Sequence, residues 1–513
     1  MDVNLPTVSE LSSSVRDKIV RTRSRVWILT LLWSVALAVR LSAAFLLPNA
    51  ERDGYSYAET IAWLSANFGH LRLVDLFGFW LPLFQLTAAI PNVWIDNPLL
   101  TGKIVSGLCG AASCVLVFAI TQKLTRSIAL AAITFALVVF NPLHILYSAA
   151  SMTDVPHACL VLTSVWFLLQ ERWLGAAIFA AMAESVRIEA WTFILLLPLL
   201  QFVRERRISL IALGVLLLPP LTWLIICHLA TGDPLASFAD RVRYNASYLD
   251  FNPTRRGFAF IDINRDATYF LLGANPIVFL AIIAAGGLSI FQVIRQPNRL
   301  CWPATVITAY ALALFGFVLL AYITKRQPVL FPRYGLIFFT LGLPLLAWLL
   351  QRVIAHWKRF RIAQYAAVAA ITLSLWQSTR QMPVIFKVLD DFRAHRQVAQ
   401  AVAAALQQSH DKNSRCFSDD AAIRVLSGLP IERFARSNTT PVAVRQNAGD
   451  FETYLHEQNV TYLVFTSIED SLPVKFYSEL GRNPRVDVGH FEFVSVAFST
   501  FGPDVWLYRL RND

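Results

Sequence analysis

Charge is what this 513-residue chain has least of. Asp, Glu, Lys and Arg make up 15% of it, against roughly 25% in an average soluble protein, which argues against a soluble enzyme. Cysteine is scarce too, and six residues in the whole chain exclude a disulfide scaffold. No low-complexity tract and no repeat of roughly 20–50 residues is present, so repeat arrays are excluded. Between Ala267 and Leu389 there is no Asp or Glu at all.

Apolar surface is what the chain has in quantity. Hydrophobic residues reach 56% and mean hydropathy is +0.51. That excludes disorder and leaves a polytopic membrane protein with room for one water-soluble part. The net charge of +11 would suggest nucleic acid on a soluble protein. In a membrane protein it first reports orientation, and no nucleic-acid partner is expected.

A membrane helix needs about 20 mostly apolar residues. Such stretches cover 26–48, with Arg40 inside, 100–120, 128–147, 155–169, 208–230, 268–294, 302–323, 334–350 and 362–376. The stretch 173–203 is long enough for a pair but is interrupted by Glu184, Arg187 and Glu189. It forms either two helices or one kinked helix; two would make about eleven spans. Loop charge favours two, because short cytoplasmic loops are rich in Lys and Arg. With Arg16, Lys18, Arg21, Arg23 and Arg25 inside, every second loop is basic. Those loops hold Lys123 and Arg126; Arg172; Arg204, Arg206 and Arg207; Arg295 and Arg299; and Arg352, Lys358, Arg359 and Arg361. The expected organisation is a cytoplasmic tail over 1–25, a transmembrane region over 26–380 with outer loops at 49–97 and 231–267, and an extracytoplasmic α/β domain over 381–513. In that last part, helical patterns at 389–408, 450–458 and 472–480 alternate with strand patterns at 460–466, 491–499 and 505–510. The first apolar run is longer than the core of a secretory signal and reads as a retained span.

Ionisable residues at membrane depth are functional candidates by default. On this topology the acids of the membrane half gather at the outer face. Asp53 follows the first span in Asn49-Ala-Glu-Arg-Asp-Gly-Tyr-Ser-Tyr-Ala-Glu59. It reads either as a helix N-cap, with Ser56 and Glu59 as a capping box, or as a carboxylate held at the bilayer surface. The aromatic stretch 77–84 reads as a segment lying in the interface. Asp154, just before Pro156, is either ordinary helix-start chemistry or a second outer-face acid at the same depth. Glu184, Arg187 and Glu189 read first as a self-neutralising turn. Lys325, Arg326 and Arg333 sit in a short outer loop, against the positive-inside tendency, and suit a phosphate or pyrophosphate. Arg241 and Arg243 are weaker candidates for the same role.

Taken in order, these segments resemble the GT-C superfamily of membrane glycosyltransferases, and within it the branch of protein O-mannosyltransferases and lipid A aminoarabinose transferases. The carriers are Asp53-Gly-Tyr-Ser-Tyr-Ala-Glu59, Trp80-Leu-Pro-Leu-Phe84, Lys103-Ile-Val-Ser-Gly107, Asn141-Pro142 with Ser151-Met-Thr-Asp154-Val-Pro156, Arg187-Ile-Glu189-Ala-Trp191 and Pro332-Arg333-Tyr334. The resemblance implies transfer of a sugar from a polyprenyl-phosphate donor to a lipid, glycan or protein acceptor on the outer face, with inversion. Asp53 matches the family's general base, and Asp154 would assist. Lys325, Arg326, Arg333 and Arg243 are expected at the donor phosphate, and Tyr55, Tyr57, Trp80, His157, Arg187 and Glu189 at the substrates. The chain departs from the family at Leu81, where close relatives carry a Lys before the Pro, and at Gly54, where the O-mannosyltransferases carry a Glu. The Trp-Trp-Asp signature of oligosaccharyltransferases is missing. No metal ligand is assigned and no cofactor is firmly implied, although a divalent cation could bridge the acids. A bacterial inner membrane is the expected location. The competing reading, a lipid or sugar transporter or flippase, would call for half-to-half similarity and acids at mid-membrane; neither is evident in the sequence.

Overall fold

The computed structural model describes residues 8–251, 260–295, 301–327, 329–356, 361–408, 413–436, 444, 448–466, 476–477, 491–498 and 504–511. The chain is mostly helical. The long α1 (Val8–Leu46) leads into α2 (Asp53–Ala66), a short 3-10 turn (Leu73–Leu76) and α3 (Leu83–Ile95). Then come α4 (Pro98–Thr125), α5 (Ile128–Val139), α6 (Pro142–Ser148), α7 (Asp154–Leu168) and α8 (Trp173–Glu184). A 3-10 turn (Ile188–Thr192) joins α8 to α9 (Phe193–Glu205), followed by α10 (Leu210–Thr231), α11 (Ala236–Phe251), α12 (Phe260–Ala274) and α13 (Pro276–Arg295). The helical part ends with α14 (Trp302–Ile323), α15 (Pro332–His356) and α16 (Arg361–Thr379).

Among the described residues, α1, α4, α10, α14 and α15 are long and apolar enough to cross a bilayer. Two bent pairs, α5–α6 at 61° and α12–α13 at 86°, raise that to seven. Length and composition therefore do not return the eleven spans expected from sequence. The shortfall of four lies in α7, α8 and α9, which have 15, 12 and 13 residues, and in α16, which falls outside the candidate spans. The break after α5 is satisfied from α1. Arg40, fully buried, donates to the Val139 and Val138 carbonyls at 2.5 and 2.9 Å and faces His144 Nδ1 at 3.0 Å. A charged residue inside an apolar span thus serves carbonyls left over at a helix end.

The bundle has two chemically distinct ends. At one end, Trp173 Nε1 donates to Glu205 at 2.5 Å and Arg204 pairs with Glu171 at 2.6 Å. Arg204 also stacks on Trp302, and Gln351 caps the Thr125 carbonyl at 2.7 Å. Since Trp173 opens α8 and Glu205 closes α9, the stretch 173–203 goes out and comes back as two helices. The residues at this end are neighbours of the basic loops that the charge pattern groups together. At the other end lie the starts of α2, α7 and α15 and the turn between α8 and α9.

The stretch 77–84 packs on the bundle: Phe77 stacks on Trp223, and Leu81 is buried with Trp223, Ile226 and Cys227. After α16, the amphipathic α17 (Met382–Gln408) leads into β1 (Arg415–Ser418), α18 (Ala421–Ser427), β2 (Phe434–Ala435), α19 (Ala448–Glu457), β3 (Val460–Thr466), β4 (Phe491–Ala497) and β5 (Val505–Leu510). The sheet order is β2-β1-β3-β5-β4, parallel among the first three strands and antiparallel beyond. The helical pattern at 472–480 lies largely outside the described residues, as do Arg299, Lys358 and Arg359.

Candidate active site

Asp53 is the first residue of α2, and the preceding Arg52 has helical φ and ψ with no side-chain cap. Neither the N-cap reading of Asp53 nor the Ser56–Glu59 capping box holds. Ser56 is already a turn into the helix, and Glu59 pairs with Arg424 at 2.5 Å. Gly54 is required because a Cβ there would strike the Asn49 side chain, whose Oδ1 accepts from the Ser151 amide at 2.8 Å. That contact ties the loop before α2 to the loop before α7.

Instead of capping, Asp53 pairs with Arg333 of α15 at 2.9 Å. The start of α15 comes this close because Gly335 meets the backbone of Phe270 and Ala274 while Gly273 of α12 meets the Pro332 carbonyl. Beside this pair, Arg187 reaches Asp154 and Glu189, each at 2.7 Å. The Tyr334 ring lies 5.3 Å from the Arg187 guanidinium and 5.6 Å from that of Arg333. Three expected acids and two expected cations therefore interlock around one aromatic ring. The self-neutralising turn is corrected in one member: Glu184 is fully buried, and neither of its carboxylate oxygens has a hydrogen-bond partner among the described residues.

Tyr57 packs against Trp80 at 4.6 Å and Phe84 at 5.6 Å, and its hydroxyl is 3.5 Å from Thr153 Oγ1. His157 is buried and lines a cavity of about 20 Å³ with Asp154, Arg187, Glu189, Arg333 and Tyr334. That is room for about one water molecule.

Other expectations fall away from this cluster. Arg243 is exposed and pairs with Asp240. Its neighbour Arg241 is the residue turned inward, donating to the Phe79 carbonyl at 3.1 and 2.7 Å. Burial lowers the affinity of Arg241 for its proton, with Glu189 and Tyr57 acting the other way. Lys325 stacks on Tyr322, and the Arg326 carbonyl accepts from Asn245, which stands one turn from Arg241 on α11. The Lys325–Arg326 loop thus leans toward Arg241. Tyr55 packs on Ala421 and Ala422, away from Tyr57.

One acid was missed by the sequence reading. Glu51 accepts from the Tyr147 hydroxyl at 2.7 Å. Burial pushes its carboxyl up, and Arg333 and Tyr147 offset that only in part. Among the described residues no group of three or more His, Cys, Asp or Glu is arranged to hold a metal ion.

Apolar helices, a charged recess at one end of the bundle and a small sheet after the last apolar span describe a multi-pass membrane protein. Comparison of the sequence finds no matching family model and no matching curated protein. The structure is similar to that of ArnT from Cupriavidus metallidurans bound to undecaprenyl phosphate. The TM-score is 0.56 at 12% identity, over 94% of this chain and 98% of the other. The apo state of that protein gives 0.52 at 13% identity, over the same shares of each chain. The Archaeoglobus fulgidus oligosaccharyltransferase tethered with an acceptor peptide gives 0.53 at 12%, over 93% of this chain and 73% of the other. At such identities the likeness is one of fold.

Proposed function

We propose that this protein is a membrane glycosyltransferase. It takes a sugar from a polyprenyl-phosphate carrier and passes it to a hydroxyl of a lipid, glycan or protein acceptor at the outer face of the membrane, inverting the anomeric carbon. The observation that carries this reading is the Asp53–Arg333 pair: a candidate base and a candidate phosphate ligand meet where Arg187 and Asp154 also converge. The undecaprenyl phosphate bound to ArnT supports a carrier of that class.

The acceptor oxygen attacks C1 from the face opposite the phosphate. The C1–O bond breaks, polyprenyl phosphate leaves with the electron pair, and the acceptor proton passes to the Asp53 carboxylate. Arg333 and Arg241, with Lys325 and Arg326 at the rim, bind the phosphate oxygens and stabilise the charge that grows on them. Arg241 takes the role first given to Arg243. Asp154 and Glu189 hold Arg187 and orient the acceptor, Tyr57 and Trp80 offer aromatic surface to a sugar ring, and His157 lines the recess. The N-terminal tail is cytoplasmic, residues 381–513 lie outside, and the membrane is a bacterial inner membrane.

The test is transfer by the reconstituted protein from a panel of radiolabelled undecaprenyl-phosphate sugars. Asp53→Asn is expected to lower turnover about 10²–10⁴-fold, the usual worth of general base catalysis. Turnover that survives in Asp53→Asn would falsify its role as base. Arg333→Gln is expected to raise the donor KM about tenfold, the loss of one charge-assisted contact. An unchanged donor KM would move the phosphate site elsewhere.

A further inference from the structure

Helix α2 has two working faces. Asp53 and Tyr57 turn toward the bundle, to Arg333 and to Trp80. Arg52, Tyr55 and Glu59 turn the other way, into the part of the chain that follows the last span. Glu59 is held by Arg424 of α18 at 2.5 and 2.8 Å, with Arg436 at 3.8 Å. Tyr55 packs on Ala421 and Ala422. Arg52 donates to Thr466 Oγ1 of β3 at 3.2 Å and lies 3.7 Å from the Asp420 carboxylate.

Asp420 is built into its place. Its Oδ1 caps α18 by accepting from the Ala422 amide at 2.7 Å, and its Oδ2 is 2.8 Å from His395 Nε2. The other ring nitrogen, Nδ1, lies 2.7 Å from the Asp391 carbonyl oxygen. Both nitrogens of His395 thus face oxygen acceptors, an arrangement that only the doubly protonated ring satisfies. Asp420 and His395 are each 1% exposed as side chains. The result is a row of alternating charge, buried at His395⁺ and Asp420⁻ and partly exposed at Arg52⁺, which ends one residue before Asp53. Adjacent residues of opposite charge are drawn to opposite sides of the first turn of α2.

We propose that Asp420, fixed by His395 and facing Arg52, is a positioning residue that sets the place of Asp53 from the far side of α2. The outer α/β part is thereby a working component of the active site. This inference rests on Asp53 being the base. Placement errors of about 1 Å cost up to about 10²-fold in rate, so the effect belongs in turnover and not in donor affinity.

The experiment compares Asp420→Asn, which keeps an N-cap acceptor, with Arg52→Gln, a milder change at a partly exposed side chain. Each is expected to lower kcat about 10–100-fold on whichever undecaprenyl-phosphate sugar the wild type uses, with donor KM within about twofold. Combined with Asp53→Asn, neither should lower the residual rate further, because coupled groups are not additive. Hydrogen–deuterium exchange provides the second readout and needs no substrate. The amides in the first turn of α2 should exchange at least about tenfold faster in both variants, a local opening distinct from global unfolding. Unchanged exchange there, or a kcat loss that adds fully to that of Asp53→Asn, overturns the proposal. Full activity of Asp53→Asn with accelerated α2 exchange would instead remove the assignment of the base and leave the anchoring of α2 standing.

Discussion

Arg187 is the most committed side chain in the recess. It holds Asp154 and Glu189 at 2.7 Å each, with 15% of its side chain exposed. Removing one acid leaves it a carboxylate partner; removing both leaves a nearly buried cation with no carboxylate partner among the described residues. The double variant Asp154→Asn with Glu189→Gln is expected to lose about 3–5 kcal/mol of stability, the usual result of breaking a buried pair, and each single variant less. Thermal unfolding in detergent measures this. Glu184 makes the opposite case. Its carboxyl is buried with no hydrogen-bond partner for either oxygen among the described residues, so Glu184→Met should raise the melting temperature, because an apolar side chain of similar size removes the cost of an unsatisfied polar group. A lower melting temperature would show that the carboxyl has a partner the described residues do not supply.

Helix α15 reaches the recess only because it crosses α12 at facing glycines. A Cβ on Gly335 would collide with the Phe270 carbonyl and the Ala274 amide. Gly335→Ala should therefore push Arg333 away from Asp53, costing about 1–3 kcal/mol in stability through overpacking together with a fall in turnover. An alanine variant with wild-type stability and rate would show that the crossing has slack. Much at this scale was legible in the sequence. The apolar stretches became helices, and β3, β4 and β5 begin where the strand patterns begin. The two-residue β2 and four-residue β1 were missed because segments so short carry no periodicity. That Arg241 and not Arg243 turns inward could not be read from the sequence, because only packing on Phe79 decides which face of α11 does so. Glu51 was passed over because its partner, Tyr147, is 96 residues away. A signal existed in that both residues flank loops that carry a candidate acid.

For the molecule as a whole, the junction between helical bundle and sheet makes stability depend on pH. Burial works against the charge on His395, but Asp420 outweighs it, with Asp391 assisting and Arg52 opposing, and the ring holds its proton above its ordinary range. Asp420 goes the other way: burial opposes its ionisation, while Arg52 and His395 keep its carboxyl well below the usual range. The histidine's contribution is complete below about pH 6.5 and fades as pH rises through its raised value. The aspartate's contribution is present above about pH 3.9 and fades as pH falls toward its depressed value. The stability gap between wild type and His395→Gln should therefore be widest in mild acid and close in alkali, as melting curves across pH would record. The short helices of the recess act on the lipid as well. With 12 and 13 residues, α8 and α9 are about 18–20 Å long, beside a hydrocarbon core of about 30 Å. Leu174, Ile178, Leu195 and Leu199 are exposed along them. Such a mismatch is relieved by thinning the surrounding leaflet. For the proposed transferase, thinning on this flank would bring the headgroup plane toward Arg333, and a lipid-linked phosphate would reach it sideways with its tail still in the bilayer.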